Sequence, residues 1–406
     1  MSKQDCIAGP DVEEQGDGER KRVAAGCRPP AIFSGVNLEN RAYQARIVEK
    51  CLAMFEGTHR DRWGETERAA HSVLVESPTG SGKTIMGLEI ARQLQHRLGL
   101  DVGWASMRRN LLLQAKQENE QRGFGVALRL ISMFDKQPPK VDVLVVDEAQ
   151  HDAAASMANL HSTIRPRYVL GMTATPFRTD RIKLCFDRII KDAGIHQLIQ
   201  DGFLSRYHHF TIRRYSPASV AECYLREPER WGKSLVFFHR LVQCNECCER
   251  LTQGGVRAEV VTARTDRQRQ IAEFSEGKID VLLNMAILTE GFDCPALKTV
   301  FCRPSGRACT IQMAGRVFRK CADTPFKQIV QCNNTRHPFL KTALADEQYA
   351  WSDDGWQTLK LNRHITAISD VARRAVAAVD VKLPPVVANH RRRSLPWDGR
   401  EETFQL

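Results

Sequence analysis

The sequence predicts an α/β protein made of two tandem parallel-sheet domains, and two observations carry that prediction. Strand-like apolar runs alternate with helical ones twice along the 406 residues, once from 31 to about 200 and again from about 208, the pattern of parallel sheets with crossover helices. In the first series, one run passes into a helix through a Gly-Ser-Gly turn suited to holding phosphate.

The strand-like runs of the first series are 73–75, 102–105, 126–131, 141–146 and 168–172. Those of the second are 234–238, 258–262, 279–284, 299–302 and 327–331, and its clearest helices are at 240–251 and 310–318. Residues 1–30 are rich in Gly and charge and close at Pro29-Pro30, so they bury little surface and read as a flexible arm. Helical spacing returns over 345–380, and 383–406 combine Pro384-Pro385 with Arg391–Arg393 as a basic tail, either solvated or touching phosphate. The expected division is an arm at 1–30, domains at 31–207 and 208–335, and an extension at 336–406.

The segment from Val73 to Thr84 reads Val-Leu-Val-Glu-Ser-Pro-Thr-Gly-Ser-Gly-Lys-Thr. Gly80 and Gly82 let the backbone curl so that its N–H groups converge on a β-phosphate, and the helix opening at Lys83 points its positive end at the same anion. Ile85, Leu88, Ile90, Ala91 and Leu94 give that helix its apolar spacing. Lys83 adds a mobile charge toward the β- and γ-phosphates, and the Thr84 hydroxyl is placed for Mg²⁺. Thr79 and Ser81 belong to the same loop, and Ser77 stands where the G-x-x-x-x-G-K-[ST] pattern has its first glycine. The run 141–146 ends in Asp147-Glu148-Ala149-Gln150-His151. Carboxylates at the C-terminal tip of a parallel strand can reach a ligand, Asp147 through Mg²⁺ and Glu148 by orienting and deprotonating a water. The run 168–172 ends in Thr173-Ala174-Thr175-Pro176.

In this order, Gly-Ser-Gly-Lys-Thr, Asp-Glu-Ala-Gln-His and Thr-Ala-Thr-Pro resemble motifs I, II and III of the superfamily 2 helicases. Asn284-Met-Ala-Ile-Leu-Thr-Glu-Gly-Phe-Asp293 resembles motif V, and Gln312-Met-Ala-Gly-Arg316-Val-Phe-Arg319 resembles motif VI. The resemblance spans roughly 31–335. It implies two RecA-like domains with an ATP cleft between them, and an ATP- and Mg²⁺-dependent enzyme that moves on or unwinds nucleic acid.

The same resemblance implies individual roles. Tyr43 and Gln44 look like the pair that reads adenine, with an ordinary helical surface pair as the alternative. Gly291 and Asp293 would sit near the ribose, and Arg316 and Arg319, with Gln312, would act from across the cleft. Gln150, Thr173, Thr175 and Gln312 would couple the γ-phosphate site to the domain interface, core satisfaction being the alternative for either threonine. Arg108, Arg109 and Gln114 (motif Ia), Ser132 and the Thr262 region would touch the sugar-phosphate backbone. The stretch Ile195–Leu204 resembles the inter-domain segment of DNA-directed members, and equally reads as an amphipathic hinge helix ending at Gly202. Gln150 replaces the usual Asp or His of motif II, and motif Ia lacks its common proline.

Motif V and the Asp201-Gly-Phe-Leu204 segment look more like the DNA repair and restriction branch than like DEAD-box proteins. DNA, single-stranded or forked, is therefore the expected partner. The alternatives are an RNA helicase, or a duplex translocase serving a nuclease or repair partner.

Composition is compatible with all three. Hydrophobic residues make up 42% and charged residues 26%, ordinary for a globular protein, and the net charge of +11 fits a polyanion binder. No apolar run approaches the ~20 residues of a membrane helix and the start lacks a signal-peptide core, so no membrane association and a cytoplasmic location are expected. The 13 cysteines are expected to be reduced. Cys244, Cys247 and Cys248 fall at i, i+3 and i+4, one packed helical face in preference to a zinc site.

Overall fold

A computed structural model describes residues 30–359 apart from 40, 62, 152–154, 177–183, 185, 289–291 and 353–354. The described residues up to Gln357 form one compact unit. Residues 1–29 of the expected arm, Gly291 and the basic tail at 383–406 lie outside the described residues.

The first half of this unit runs α1 (Ala42–Glu56), β1 (Ser72–Glu76), α2 (Lys83–Leu98), β2 (Val102–Ser106), α3 (Arg109–Gln121), β3 (Leu128–Ser132), β4 (Val143–Asp147), α4 (Ala155–Ile164), β5 (Tyr168–Thr173), β6 (Arg188–Lys191) and α5 (Ile195–Gln200). Its six strands form one sheet in the order β3-β2-β4-β5-β1-β6, every adjacent pair parallel. All five residues of β2 and of β4 are buried, as interior strands covered on both faces require. Register fixes the position of the site. Glu76 pairs with Thr173 and Asp147 with Met172, so the phosphate loop, the acidic tip and Thr173 leave one edge of the sheet together.

The second half runs β7 (Arg206–Ile212), α6 (Pro217–Arg226), α7 (Pro228–Trp231), β8 (Ser234–Phe237), α8 (Leu241–Gln253), β9 (Ala258–Val260), α9 (Arg267–Glu276), β10 (Val281–Asn284), β11 (Thr299–Phe301), α10 (Arg307–Ala314), β12 (Phe326–Cys332), β13 (Glu347–Ser352) and β14 (Gly355–Thr358). These eight strands form the second sheet, in the order β14-β13-β7-β12-β11-β8-β10-β9, and the pairs from β13 to β9 are parallel.

Three expectations change. The helix expected at 310–318 ends at Ala314, and a 3₁₀ turn covers Gly315–Val317. The helical spacing over 345–380 gives way, at 347–358, to two strands on the edge of the second sheet. Tyr349 stacks on Phe210 at 4.8 Å and Trp356 meets it edge-on at 5.0 Å, so aromatic packing on a sheet overrides the helical period. Strand β7 begins at Arg206 and pairs with β12, so the second sheet starts two residues before the boundary drawn at 207/208.

A buried polar cluster holds the chain leading into α1. Glu89 is fully buried and accepts from the Phe33 N–H (3.0 Å), from Gln93 Nε2 (2.8 Å) and from Arg92 Nε (2.8 Å), while Arg92 Nη1 donates to the Ser34 carbonyl (2.9 Å). Buried polar groups of this kind are tolerated in a core when each finds a hydrogen-bond partner. The cluster fixes the path of the chain toward Leu38, Glu39 and Arg41, which line the cavity below.

Candidate active site

A cavity of about 240 Å³ lies between the two sheets, lined by the phosphate loop on one side and by residues of the second half on the other. Gly80 and Gly82 both have left-handed backbones (φ 83° and 82°), and a Cβ on Gly82 would fall 2.4 Å from Gln44 Nε2. Position 82 therefore needs glycine for its dihedral, and a side chain there would also push Gln44 off the loop. Ser77, the departure from the usual pattern, braces the loop: its N–H donates to the Thr173 carbonyl (2.9 Å) and its hydroxyl to the Ser81 hydroxyl (2.7 Å), which donates to the Pro78 carbonyl (2.6 Å).

Tyr43 and Gln44 also act on the loop. The Tyr43 hydroxyl (2.5 Å) and Gln44 Nε2 (2.8 Å) both donate to the Ser81 carbonyl, and the Tyr43 ring packs on Phe203 at 5.1 Å. Gln44 reaches the cavity wall, whereas Tyr43 is buried. The pair thereby holds the loop's shape.

Lys83, Thr84, Asp147 and Glu148 line the cavity together. Burial lowers the Lys83 ammonium below its usual pKa, and the nearby Glu148 and Asp147 carboxylates oppose that shift. Glu148 has φ 55°, strained for a non-glycine residue and of the kind that collects at functional sites. Its N–H donates to Asp147 Oδ1 (3.0 Å), and its Oε2 accepts from Gln150 Nε2 (3.0 Å). Gln150 Oε1 accepts from the Thr173 hydroxyl (2.7 Å), whose oxygen accepts from the Thr175 N–H (3.0 Å). Gln150, Thr173 and Thr175 thus form one hydrogen-bonded chain from Glu148 to the tip of β5, while Gln312 stands on the other half. Gln150 keeps this chain intact where an Asp or His is usual.

From the second half, Arg316 and Arg319 reach the same cavity. Arg316 is buried and donates from Nη1 to the Phe292 carbonyl (3.2 Å), while Arg319 is ion-paired with Asp293. Gln312 lies half-buried on α10, one turn before Arg316. The two halves touch closely here. A Cβ on Gly315 would fall 2.9 Å from Thr79 Cβ, and one on Gly80 would fall 3.2 Å from Leu204 Cδ2. Ser205 joins the linker to the arginine turn, its N–H donating to the Phe318 carbonyl (2.9 Å) and its hydroxyl to that of Arg319 (3.1 Å).

The residues assigned to nucleic acid divide. Gln114 lines the cavity with Leu111 and Glu118, because positions i, i+3 and i+7 of α3 share the face turned toward Lys83, so it does not stand with Arg109. Arg108 is half-buried and donates from Nη1 to the Ile287 carbonyl of the second half (2.8 Å). Arg109 is exposed at the start of α3. Ser132 ends β3 with its hydroxyl accepting from the Phe134 N–H (3.3 Å), and the Thr262 hydroxyl accepts from the Arg264 N–H (3.1 Å).

Cys244 and Cys247 are fully buried in an apolar cluster of the second half, and burial pushes the Cys244 thiol up to about 11. The Cys248 thiol donates to the Ala258 carbonyl (3.3 Å). Among the described residues no group of three or more His, Cys, Asp or Glu side chains is placed to hold a metal, and no helix is long and apolar enough to cross a membrane.

The fold and the cavity define a phosphate-loop protein of two tandem RecA-like domains. The family model for the type III restriction enzyme res subunit matches residues 37–123, and that for the helicase conserved C-terminal domain matches 217–321. A 51.5 kDa protein of a Lactococcus phage (isolate 7-9) is 25% identical over 57% of this chain and 59% of its own. The putative ATP-dependent helicase IRC3 of Saccharomyces cerevisiae is 26% identical over 47% of this chain and 34% of its own. The chain thus spans between about a third and three-fifths of these relatives' lengths. Two solved structures share the fold. The ATP-dependent Type ISP restriction-modification enzyme LlaBIII bound to DNA has a TM-score of 0.52 at 15% identity, over 74% of this chain and 28% of that one. S. cerevisiae Dbp5 bound to RNA and ADP BeF3 has a TM-score of 0.54 at 14% identity, over 82% and 97%. The motifs in their order and the matches to both halves support a helicase of superfamily 2.

Proposed function

We propose that the protein is an ATP-dependent DNA helicase or translocase. The observation that carries this reading is the cavity in which Lys83, Asp147 and Glu148 face Arg316 and Arg319 from the other sheet. Lys83 and the N–H groups of the loop hold the phosphates, and Glu148 orients the attacking water and takes its proton. Thr84 and Asp147 would hold Mg²⁺, an oxygen-seeking ion that takes few ligands from protein, and its charge would offset that of the β- and γ-phosphates. Arg316 and Arg319 neutralise charge on the transferring group, a contribution of roughly 10³ to 10⁵ in rate where such arginines have been measured. Loss of the γ-phosphate removes their anchor. The halves then part about the Leu204–Ser205 linker, where we place the domain boundary, and the chain from Glu148 to Thr175 carries the change to the interface.

The contact of Gly315 with Thr79 supports closure as the catalytic state. Gly315→Ala is expected to displace the arginine turn and lower kcat about 10²-fold, since small misplacements cost that much, with ATP affinity little changed. An unaltered kcat would show that the closed contact is not needed for turnover.

Arg108, Arg109, Ser132 and the Thr262 loop are the proposed backbone contacts. DNA is favoured by motif V, by Asp201–Leu204 and by the restriction-subunit match. RNA is the second reading, favoured by the RNA-bound neighbour. A translocase lacking unwinding would work with a separate nuclease or repair protein. If backbone charge dominates, single-stranded DNA affinity falls with salt at a slope of about −0.7 per phosphate neutralised and varies little with base sequence. Tighter binding of RNA than of single-stranded or forked DNA would select the second reading, and salt-insensitive binding would contradict both.

A further inference from the structure

Single exposed apolar side chains are common on protein surfaces, so position and support decide which of them matters. Phe134 is 64% exposed and stands two residues beyond Ser132, the last residue of β3. The turn that carries it is braced. Met133 is buried and its N–H donates to the Ser106 carbonyl at the end of β2 (3.1 Å), while the Asp135 N–H donates to the Ser132 carbonyl (3.0 Å) and the Gln137 N–H to Asp135 Oδ1 (3.2 Å). An aromatic ring is thus displayed to solvent from a backbone that is already ordered.

Two contacts between the sheets show where this turn lies. The Gly315 turn, packed against β11 and β12, meets Thr79 beyond β1, and the Arg108 guanidinium beyond β2 donates to the Ile287 carbonyl beyond β10 (2.8 Å). The direction from β1 to β2 in the first sheet therefore matches that from β11 to β10 in the second. Because β3 lies one position beyond β2, and β9 one position beyond β10, their tips fall at the same end of the interface. Phe134 and the Thr262 loop share that end. It is four strand positions from β1, about 19 Å at the usual strand separation, and Phe134 takes no part in lining the ATP cavity.

Ser132 and the Thr262 loop are the proposed backbone contacts at this end, and contacts of that kind hold sugar and phosphate without touching the bases. A flat apolar ring beside them offers a base a face to stack on in place of water. Resting on the nucleic-acid reading above, we propose that Phe134 stacks on a base of the bound single strand, gripping it at the end of the track remote from ATP. Every base has a face to stack, so the grip adds affinity without sequence preference.

The test pairs a single strand of about twelve thymidine nucleotides, within the usual reach of such sites, with a strand of the same length built from abasic units. Phe134→Ala should weaken the thymidine strand roughly fivefold to hundredfold and leave the abasic strand unchanged, with Phe134→Trp retaining the affinity of the wild type. Circular dichroism and thermal unfolding confirm that each variant is folded. Equal losses on the two strands, or no loss on either, would overturn the stacking role while leaving the backbone reading standing. A dimer in sedimentation that dissociates on Phe134→Ala would assign the ring to a second copy of the chain instead. Absence of binding to either strand by the wild type would overturn this proposal and the nucleic-acid reading together.

Discussion

Lys83→Ala is expected to abolish ATP turnover and weaken ATP binding, whereas Glu148→Gln stops turnover and leaves binding largely intact. Lys83 shares the cavity with Asp147 and Glu148 and interacts electrostatically with both, so without it their negative charge would oppose incoming phosphates more strongly. The glutamine exchange is milder. The amide oxygen it introduces can still accept from Gln150 Nε2, so the chain to Thr173 and Thr175 survives, and only the proton acceptor is removed. Turnover should drop at least 10³-fold in both, with the binding difference read by equilibrium titration. Equal loss of nucleotide affinity would contradict the division of roles.

Arg319→Ala is expected to reduce kcat by roughly 10³-fold or more with its unfolding temperature nearly unchanged. Its side chain is 37% exposed and its ion pair with Asp293 is of the surface kind that contributes little to stability. Arg316→Ala should lose comparable activity and also unfold a few degrees earlier. Arg316 is 8% exposed and its removal deprives the buried Phe292 carbonyl of a donor, at a cost of about 1–3 kcal/mol. Activity retained in both variants would remove the cross-cleft arginines from the mechanism. Equal thermal shifts would contradict the burial argument.

The phosphate loop, the acidic tip of β4 and the arginine turn are legible in sequence because their chemistry demands particular residues at short spacing, and a parallel sheet brings strand tips to one edge regardless of loop length. The less legible parts depend on direction or distant pairing. Gln114 follows the right motif position, yet the face it occupies on α3 is set by packing against the cleft. Tyr43 and Gln44 face a carbonyl of the loop, because α1 packs directly beneath Ser81. The cluster of Glu89, Arg92 and Gln93 joins residues nearly sixty positions apart, which no local pattern encodes. Strands β13 and β14 are hidden because Tyr349 and Trp356, seven apart, fit a helix face as well as a sheet edge until Phe210 and Trp231 are seen beneath them.

The central claim is that one ATP is hydrolysed between the two halves and that nucleic acid promotes the closure. Steady-state ATP turnover, measured with and without single-stranded DNA, tests it most directly. The expected result is a low basal rate raised at least tenfold by DNA and lost in Glu148→Gln. A folded, ATP-binding protein that turns over no ATP with single-stranded, duplex or forked DNA or with RNA would contradict it.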